Sequence, residues 1–294
     1  MLIFLLACAA ESSLSRPNAV ALAGDLIYVS DFHHQRIVTF DDSGRFLSSM
    51  GHQGLSGDGL WEVWGMLADD RDLHVLNLRP TSRDDDTMLL EIKTFRDGSA
   101  VSVTPLVLAD GSTAKWSDGL AQTDDGWKLT SLEGNALLSF GVDGRVTDER
   151  TAPAGGAPLH APSALHGEAD GLWIIEQFDN RIRHLSHDGI ERLSFGEEGA
   201  QPGSLRFPKA LDVCDTGGWL AVADLGNYRV QRFDLSGTFI DGFEPPQLNP
   251  ESPLQLMDVK ISSDCSTMVL VDSKGDRVLL TEPNGTIFGE LSRW

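Results

Sequence analysis

Apolar runs of about five residues recur along the whole chain, and tight polar turns separate them. Six of these turns close with a glycine, at Gly44, Gly98, Gly144, Gly189, Gly237 and Gly285. Asp-Gly and Asn-Gly turns between apolar runs are typical of β-hairpins, because glycine adopts a positive φ without steric cost. Successive turns lie 45 to 54 residues apart, and such a period indicates a repeated structural unit.

Four apolar runs in each repeat predict a four-stranded antiparallel sheet. Six such sheets predict an all-β, six-bladed β-propeller, whose blades pack radially and leave no long sheet edge exposed. The expected blades cover residues 16–54, 59–106, 116–153, 162–199, 207–246 and 253–294. The first and last blades each have four runs of their own, so we expect the ring to close without a strand exchanged between the termini.

An acid and an arginine recur five positions apart, at the turn between the second and third predicted strands of four blades. The pairs are Asp31 and Arg36, Glu176 and Arg181, Asp224 and Arg229, and Asp272 and Arg277. The third blade keeps the frame without the charges, in Ser131 and Ala136. Such a pair could clamp a substrate, or it could brace the hairpin structurally. Recurrence around a ring favours the brace, because equivalent positions in several blades do not form one active site.

Further features accompany these pairs in the best-matching blades, 16–54 and 207–246. A proline precedes the first strand ("RPNAVAL", "FPKALDV"), the second strand ends in "YVSD" or "AVAD", and the third reads "RIVTFD" or "RVQRFD". This pattern resembles the NHL repeat, and the resemblance extends over nearly the whole chain from Arg16. It implies a six-bladed propeller, but it says little about activity because propellers carry many unrelated functions.

Zinc lyases of the NHL type use several histidines near the central channel. By this resemblance, His52, His160 and His166 could be compared with a metal-binding set. Solvated loop histidines are the alternative. The remaining histidines in turns or third strands are expected to be structural: His33, His34, His184 and His187.

Alignment of the predicted inner strands places one residue of each blade at a similar depth in the channel. These residues are Ala21, Leu67, Ala121, His166, Asp212 and Asp258. One imidazole and two carboxylates could hold a divalent cation, calcium or zinc, with His160 as a further ligand. They could also act as a base with electrostatic stabilisers in catalysis. Alternatively, these polar groups bind only neighbouring backbone or water.

Two further sets of side chains lie in the second to fifth blades. Asp84, Asp85 and Asp86 lie in an insertion of the second blade and could bind calcium weakly, although they do not alternate as in calcium loops and a solvated loop is favoured. Trp127, Trp173 and Trp219 open second strands and are expected to pack between blades.

The N-terminal sequence "MLIFLLACAAESS" contains an apolar run that is too short to span a bilayer. Its "LLAC" resembles the bacterial lipobox, which implies lipidation of Cys8. Residues 1–15 are then a signal and a short tether, and the alternative is a disordered apolar tail. Apart from Cys8, the chain has two cysteines, Cys214 and Cys265. An even number is typical of proteins in an oxidising compartment. The two cysteines lie in loops of neighbouring blades on one face, so a disulfide is feasible.

The 294-residue chain carries 44 acidic and 23 basic residues, a formal net charge of −21. Such a surface repels phosphate backbones, which argues against nucleic-acid binding. No phosphate-binding glycine loop or nucleophile elbow occurs in the sequence.

These features predict a monomeric, non-enzymatic scaffold that binds a protein, peptide or glycan on one propeller face. We expect it in the bacterial cell envelope, as an outer-membrane lipoprotein, in the periplasm or outside the cell. It would contact the membrane only through its lipid anchor. The alternative is a channel-centred enzyme that depends on a divalent cation, a lyase or a lactone hydrolase.

Overall fold

The structure, a computed structural model, describes residues 12–82, 87–114, 117–248, 251 and 253–294. It confirms the predicted fold class, because the described chain forms six four-stranded antiparallel sheets and almost no helix. The strands of each sheet follow one another in sequence order, so each sheet is one blade, numbered 1 to 6 along the chain. The described residues also include a 3₁₀ turn, Leu225–Asn227, and a parallel pair of short strands, His52–Gln53 and Gly59–Leu60.

The first strand of each blade lies innermost and the fourth outermost. Blade 1 comprises Pro17–Ala23, Leu26–Asp31, Arg36–Asp41 and Phe46–Met50. Blade 2 comprises Glu62–Ala68, Leu73–Pro80, Met88–Arg96 and Ser99–Pro105. Blade 3 comprises Leu120–Thr123, Gly126–Ser131, Ala136–Phe140 and Val146–Arg150.

The second half of the ring repeats this order. Blade 4 comprises Pro162–Gly167, Gly171–Glu176, Arg181–Ser186 and Glu191–Phe195. Blade 5 comprises Ala210–Cys214, Trp219–Asp224, Arg229–Asp234 and Phe239–Phe243. Blade 6 comprises Leu256–Ile261, Met268–Asp272, Arg277–Thr281 and Ile287–Leu291.

The hydrophobic core lies between neighbouring blades. Trp173 and Ile175 of blade 4, for example, pack with Val222 of blade 5. Trp127 and Trp219 pack in the same way between blades 2 and 3 and between blades 5 and 6, as predicted. The first strands of neighbouring blades contact one another around the ring and therefore surround a central channel.

The ring closes between blade 6 and blade 1, whose first strands are in contact. No strand is exchanged between these two sheets, but the two ends of the described chain are joined beyond them. Ser13 forms an isolated antiparallel bridge with Arg293, and the backbone N–H of Trp294 donates to the carbonyl of Ser12 at 2.8 Å.

The turn between the second and third strands contains the acid–arginine pairs, and we call this end of a blade the brace end. The arginine Nε donates to the carboxylate at 2.7 to 3.0 Å in the four predicted pairs. The second carboxylate oxygen accepts a backbone N–H ahead of the first strand, for example from Arg206 to Asp224 at 2.7 Å. The acid therefore ties its hairpin to the entry of the inner strand.

Blades 2 and 3 have other residues at the paired positions. In blade 2, Asn77 faces Glu91, and Asn77 Oδ1 accepts the backbone N–H of Trp61 at 2.9 Å. In blade 3, Ser131 faces Ala136. The sequence comparison found the blade 3 frame but not that of blade 2, because both charged partners differ there.

The opposite end of each blade, where the first and second strands join, is called the hairpin end. A disulfide joins Cys214 and Cys265 there, with a Cα–Cα distance of 5.7 Å, and links blades 5 and 6. Among the described residues, no helix has the length and apolarity needed to cross a membrane. The expectations for Cys8 and for Asp84, Asp85 and Asp86 fall outside the described residues.

Candidate functional site

The described residues outline three spaces along the channel region. A cleft of about 950 Å³ lies at the brace end, and a cavity of about 330 Å³ lies at the hairpin end. Between them, a constriction leaves about 40 Å³. We call these spaces the brace-end cleft, the hairpin-end cavity and the constriction. The cleft has the volume of an ordinary small-ligand or peptide site.

The constriction is lined by side chains near the start of the inner strands. They include Asn18, Trp64, Asp118, Lys209 and Met257. Lys209 Nζ of blade 5 donates to Asp118 Oδ2, ahead of the blade 3 strand, at 2.5 Å, so an ion pair crosses the channel. Sequence reasoning missed these residues. Two of them could have been found from the sequence, because the residue after the strand-entry proline varies between blades: it is Asn18 in "RPNA" and Lys209 in "FPKA".

The hairpin-end cavity contains an imidazole held by a carboxylate. His166 Nδ1 lies 2.7 Å from Asp212 Oδ1, and the other oxygen of Asp212 accepts the backbone N–H of Ile261 at 2.7 Å. Lys260 Nζ lies 3.8 Å from Asp212 Oδ1. Three neighbouring blades therefore contribute to one charged group of side chains.

The charges of this group depend on one another. Burial works to raise the pKa of Asp212, but Lys260 and His166 outweigh it and hold the pKa below its usual value. Burial raises the pKa of Asp258 above its usual value, against the effect of Lys260. Burial opposes the charge of Lys260, yet Asp212 and Asp258 outweigh it and raise the pKa of the lysine. The ammonium group of Lys260 therefore lies among the carboxylates that were predicted to bind a divalent cation.

The predicted equivalence of Asp258 with Asp212 was wrong. Asp212 pairs with Ala221, three residues before the brace acid, and the residue at that register in blade 6 is Lys260, opposite Val269. The alignment had matched "MDV" to "LDV". It failed because Asp258 lies 14 residues before the brace acid Asp272, whereas Asp212 lies 12 residues before Asp224, and the residue 12 before Asp272 is Lys260.

Asp258 instead lies nearer the constriction and lines it. Its Oδ2 accepts the backbone N–H of Val20 of blade 1 at 2.9 Å, and its Oδ1 accepts that of Val259 at 2.9 Å. Both oxygens therefore have backbone donors, and one of them links the last blade to the first.

The other predicted histidines are not gathered around His166. His160 lies at the brace end, where its Nδ1 is 2.6 Å from Asp179 Oδ1, whereas His166 lies at the hairpin end of the same blade's inner strand. His52 is exposed in the short strand His52–Gln53, in the connection to blade 2.

The brace-end cleft has aromatic side chains on the side of blades 4 and 5. Phe178, Phe207 and Tyr228 line it and remain 53%, 48% and 40% exposed. The rings of Phe178 and Phe207 meet edge to face with centroids 6.2 Å apart. Exposed aromatic side chains grouped in a cleft are typical of a recognition surface.

Backbone contacts that recur between blades hold these positions. Phe207 has a φ of 46°, and its N–H donates to Asn180 Oδ1 of the preceding blade at 2.7 Å. Ala161 has the same backbone state and donates to Asn135 Oδ1 at 2.7 Å. Non-glycine residues rarely adopt this left-handed region. Several blades share this backbone conformation, so it is a feature of the fold. The side chain at this position differs from blade to blade.

Cationic side chains border the opposite side of the cleft. Arg16 and Lys274, from blades 1 and 6, line it and are exposed. Neither side chain forms an ion pair with another described residue. Asp276 is also present, and its Oδ1 accepts the backbone N–H of Arg16 at 2.6 Å. The cleft therefore combines an apolar side with a basic side on a chain whose net charge is strongly negative.

A group with the ligand types of a metal site lies outside the channel. Within the described residues, this group consists of Glu168, Asp170 and His184 in blade 4. None of the three was among the predicted metal ligands, and His184 had been expected to be structural.

Three of the solved structures that are similar to this chain are lyases by name. A streptogramin B lyase is 14% identical with a TM-score of 0.60, covering 96% of this chain and 84% of that one. Virginiamycin B lyase from Staphylococcus aureus is 14% identical with a TM-score of 0.59, covering 94% and 84%. A catalytically inactive form of that lyase with quinupristin is 13% identical with a TM-score of 0.58, covering 97% and 85%.

No family model matches the sequence, and no curated protein is significantly similar to it. At such low identity, the likeness to the lyases supports the six-bladed propeller fold and transfers no activity. The NHL resemblance stays an interpretation of the sequence.

Proposed function

We propose that this protein is a non-enzymatic recognition propeller that binds a peptide segment of a partner protein in the brace-end cleft. The observation that carries the proposal is the cluster of Phe178, Phe207 and Tyr228. Equivalent turn positions in other blades bear different side chains on the same backbone, as Arg16 and Ala161 do for Phe207. A repeated scaffold with varied exposed side chains suits recognition.

The ligand chemistry follows from the two sides of the cleft. The exposed rings of blades 4 and 5 offer apolar surface whose burial favours binding, at roughly 25 cal/mol per Å². Arg16 and Lys274 line the other side and offer positive charge to an acidic group. A segment with an apolar side chain and a carboxylate, separated by a few residues, matches both sides.

Selection from a displayed library of random peptides tests the proposal. We expect enriched peptides to share an aromatic or aliphatic residue and an acidic one. Phe178→Ala or Phe207→Ala should weaken their binding on the order of thirtyfold, as truncation of an interface hot spot does. Arg16→Gln with Lys274→Gln should weaken binding less and reduce its salt dependence.

The matched control is Phe288→Ala, because Phe288 is 54% exposed on the outermost strand of blade 6. This variant should bind like the wild type. Equal binding by the Phe178→Ala, Phe207→Ala and Phe288→Ala variants would contradict the proposal, as would enrichment of no peptide. Binding to a glycan array that depends on Phe178 would show that the ligand is a carbohydrate and not a peptide.

A second candidate function is catalysis in the hairpin-end cavity. It is favoured by the contact of His166 Nδ1 with Asp212 Oδ1, since a carboxylate that orients an imidazole is a common arrangement for a general base. This function would be the lyase or lactone-hydrolase activity of the alternative hypothesis. Turnover of a lactone panel that disappears in His166→Gln would support it. Elemental analysis of the wild type and of His166→Gln would show whether the cavity holds a divalent metal, because only a metal bound there is lost with the imidazole.

The proposed location is the bacterial cell envelope. Its support is the "LLAC" sequence at Cys8 and the pairing of Cys214 with Cys265, since disulfides persist in oxidising compartments. Incorporation of labelled palmitate into the wild type but not into Cys8→Ser, in a bacterial host, tests the lipid anchor.

A further inference from the structure

Three side chains at the hairpin end of blade 4 present ligand atoms to one another. Glu168 and Asp170 lie in the loop between the first and second strands, and His184 lies on the third strand. Their ligand atoms all lie within 4.8 Å of one another, and His184 Nε2 is 3.8 Å from Glu168 Oε2. We call these residues the blade 4 cluster.

Two buried atoms of the cluster lack a well-formed hydrogen bond. His184 Nε2 has no partner among the described residues, and the donor near Glu168 is the indole of Trp173, whose Nε1 is itself buried without a hydrogen bond of good geometry. Buried polar atoms in folded proteins are nearly always satisfied, so an unpartnered imidazole nitrogen beside a carboxylate points to a missing ligand. The side chains of Glu168 and His184 are also largely buried.

The imidazole is held in this orientation by its neighbours. The ring of His184 stacks on the indole of Trp173, with centroids 4.3 Å apart and planes inclined by 3°. Gly171 leaves the space beside it, because a Cβ at that position would lie 2.8 Å from His184 Nε2. A stacked ring with a free nitrogen is a preorganised ligand.

Asp170 is the exposed member of the cluster, and it also has a cationic partner. Asp170 is paired with Arg192 through Oδ2, which leaves Oδ1 for another ligand.

We infer that Glu168, Asp170 and His184 form a binding site for a divalent metal ion of the first transition row, such as zinc. One imidazole nitrogen and two carboxylates suit zinc better than calcium, which prefers oxygen ligands alone. The site lies in blade 4, apart from the cleft of the proposed function, and does not depend on it.

Calorimetric titration of zinc chloride into chelator-treated protein tests the site. All proteins carry Cys8→Ser, so that the one cysteine outside the disulfide cannot bind zinc. We expect one zinc per chain, with at least about tenfold weaker binding in Glu168→Gln and in His184→Gln. Cobalt should give a d–d absorption spectrum in the parent protein that both variants lose. Calcium in equal concentration should not displace zinc.

The matched control is His160→Gln, which removes another histidine next to an acid, Asp179. It should bind zinc like the parent protein. Unchanged zinc affinity in both Glu168→Gln and His184→Gln contradicts the inference, and so does the absence of binding in the parent protein at a large excess of zinc. If His184→Gln unfolds, Glu168→Gln alone decides, because its substitution keeps the size of the side chain.

Discussion

The two ends of the inner strands are held in different ways. At the brace end, four blades use the same acid–arginine contact, with Nε to carboxylate distances of 2.7 to 3.0 Å. At the hairpin end, contacts occur once each. The disulfide of Cys214 and Cys265 joins blades 5 and 6, and His166 with Asp212 joins blades 4 and 5.

This difference separates the chemistry of the fold from the chemistry of function. A contact that recurs around the ring stabilises a blade, wherever that blade stands. The unrepeated groups are the aromatic cluster of the cleft, the charged group around Asp212 and the blade 4 cluster. Each of these three groups depends on side chains that equivalent positions in other blades lack, and a binding or catalytic site requires such local differences.

Removal of a brace acid should have the largest effect on stability. Asp224 is completely buried and accepts hydrogen bonds from Arg206, Asn227, Arg229 and Gln231. Asp224→Ala removes a buried carboxylate with all its hydrogen bonds and leaves the largely buried Arg229 without its acid, which costs about 4 kcal/mol of unfolding free energy. Urea unfolding followed by circular dichroism measures this loss.

The equivalent position of blade 3 supplies the control. Among the described residues, Ser131 Oγ accepts one hydrogen bond, from the N–H of Gly134 at 3.1 Å in an exposed turn. Ser131→Ala should therefore cost about 1 kcal/mol or less. Similar losses in Ser131→Ala and Asp224→Ala would mean that the charged pair adds nothing to the turn.

Loss of the disulfide should have the second largest effect and should act on the hairpin end. The bridge closes a loop with a sequence separation of 51 residues, and such a cross-link stabilises by about 3 kcal/mol. The double variant Cys214→Ala with Cys265→Ala should lose this amount in urea unfolding. Dithiothreitol should lower the unfolding free energy of the wild type to that of the variant, and it should leave the unfolding free energy of the variant unchanged. A wild type insensitive to dithiothreitol would contradict the expectation.

The fold could be predicted from sequence because its signals recur six times. Each turn glycine and each apolar run adds to the same period, so single departures do not hide it. The brace was predictable for the same reason, and it was missed only in blade 2, where Asn77 and Glu91 replace the charged pair.

The candidate sites were harder to predict because each depends on a single blade. Lys260, and not Asp258, lies at the level of Asp212, because Lys260 has the same 12-residue separation from the brace acid of its blade. The aromatic cluster joins Phe178 of one blade to Phe207 and Tyr228 of the next. No sequence period connects such residues, since their proximity arises from the packing of blades.

The smallest expected effect concerns an exposed acid at the hairpin end, beside the disulfide. Asp264 accepts hydrogen bonds from the hydroxyl of Ser262 and from the backbone and hydroxyl of Ser266. These bonds lower the pKa of Asp264 to about 2 from an ordinary value of 3.8. Since the folded state binds the proton less tightly, ionised Asp264 stabilises the fold above the ordinary pKa. This contribution disappears as the pH falls through about 2.

Urea unfolding of the wild type and of Asp264→Asn from pH 5 to pH 2 measures this contribution. The wild type should lose stability more steeply with acid, so the difference between the two proteins should shrink across the range. Added salt should leave the difference nearly unchanged, because hydrogen bonds and not distant charges lower this pKa. Parallel pH profiles would mean that the serine contacts are not formed in solution. A difference that salt removes would instead assign the effect to long-range charge, as expected for a surface this acidic.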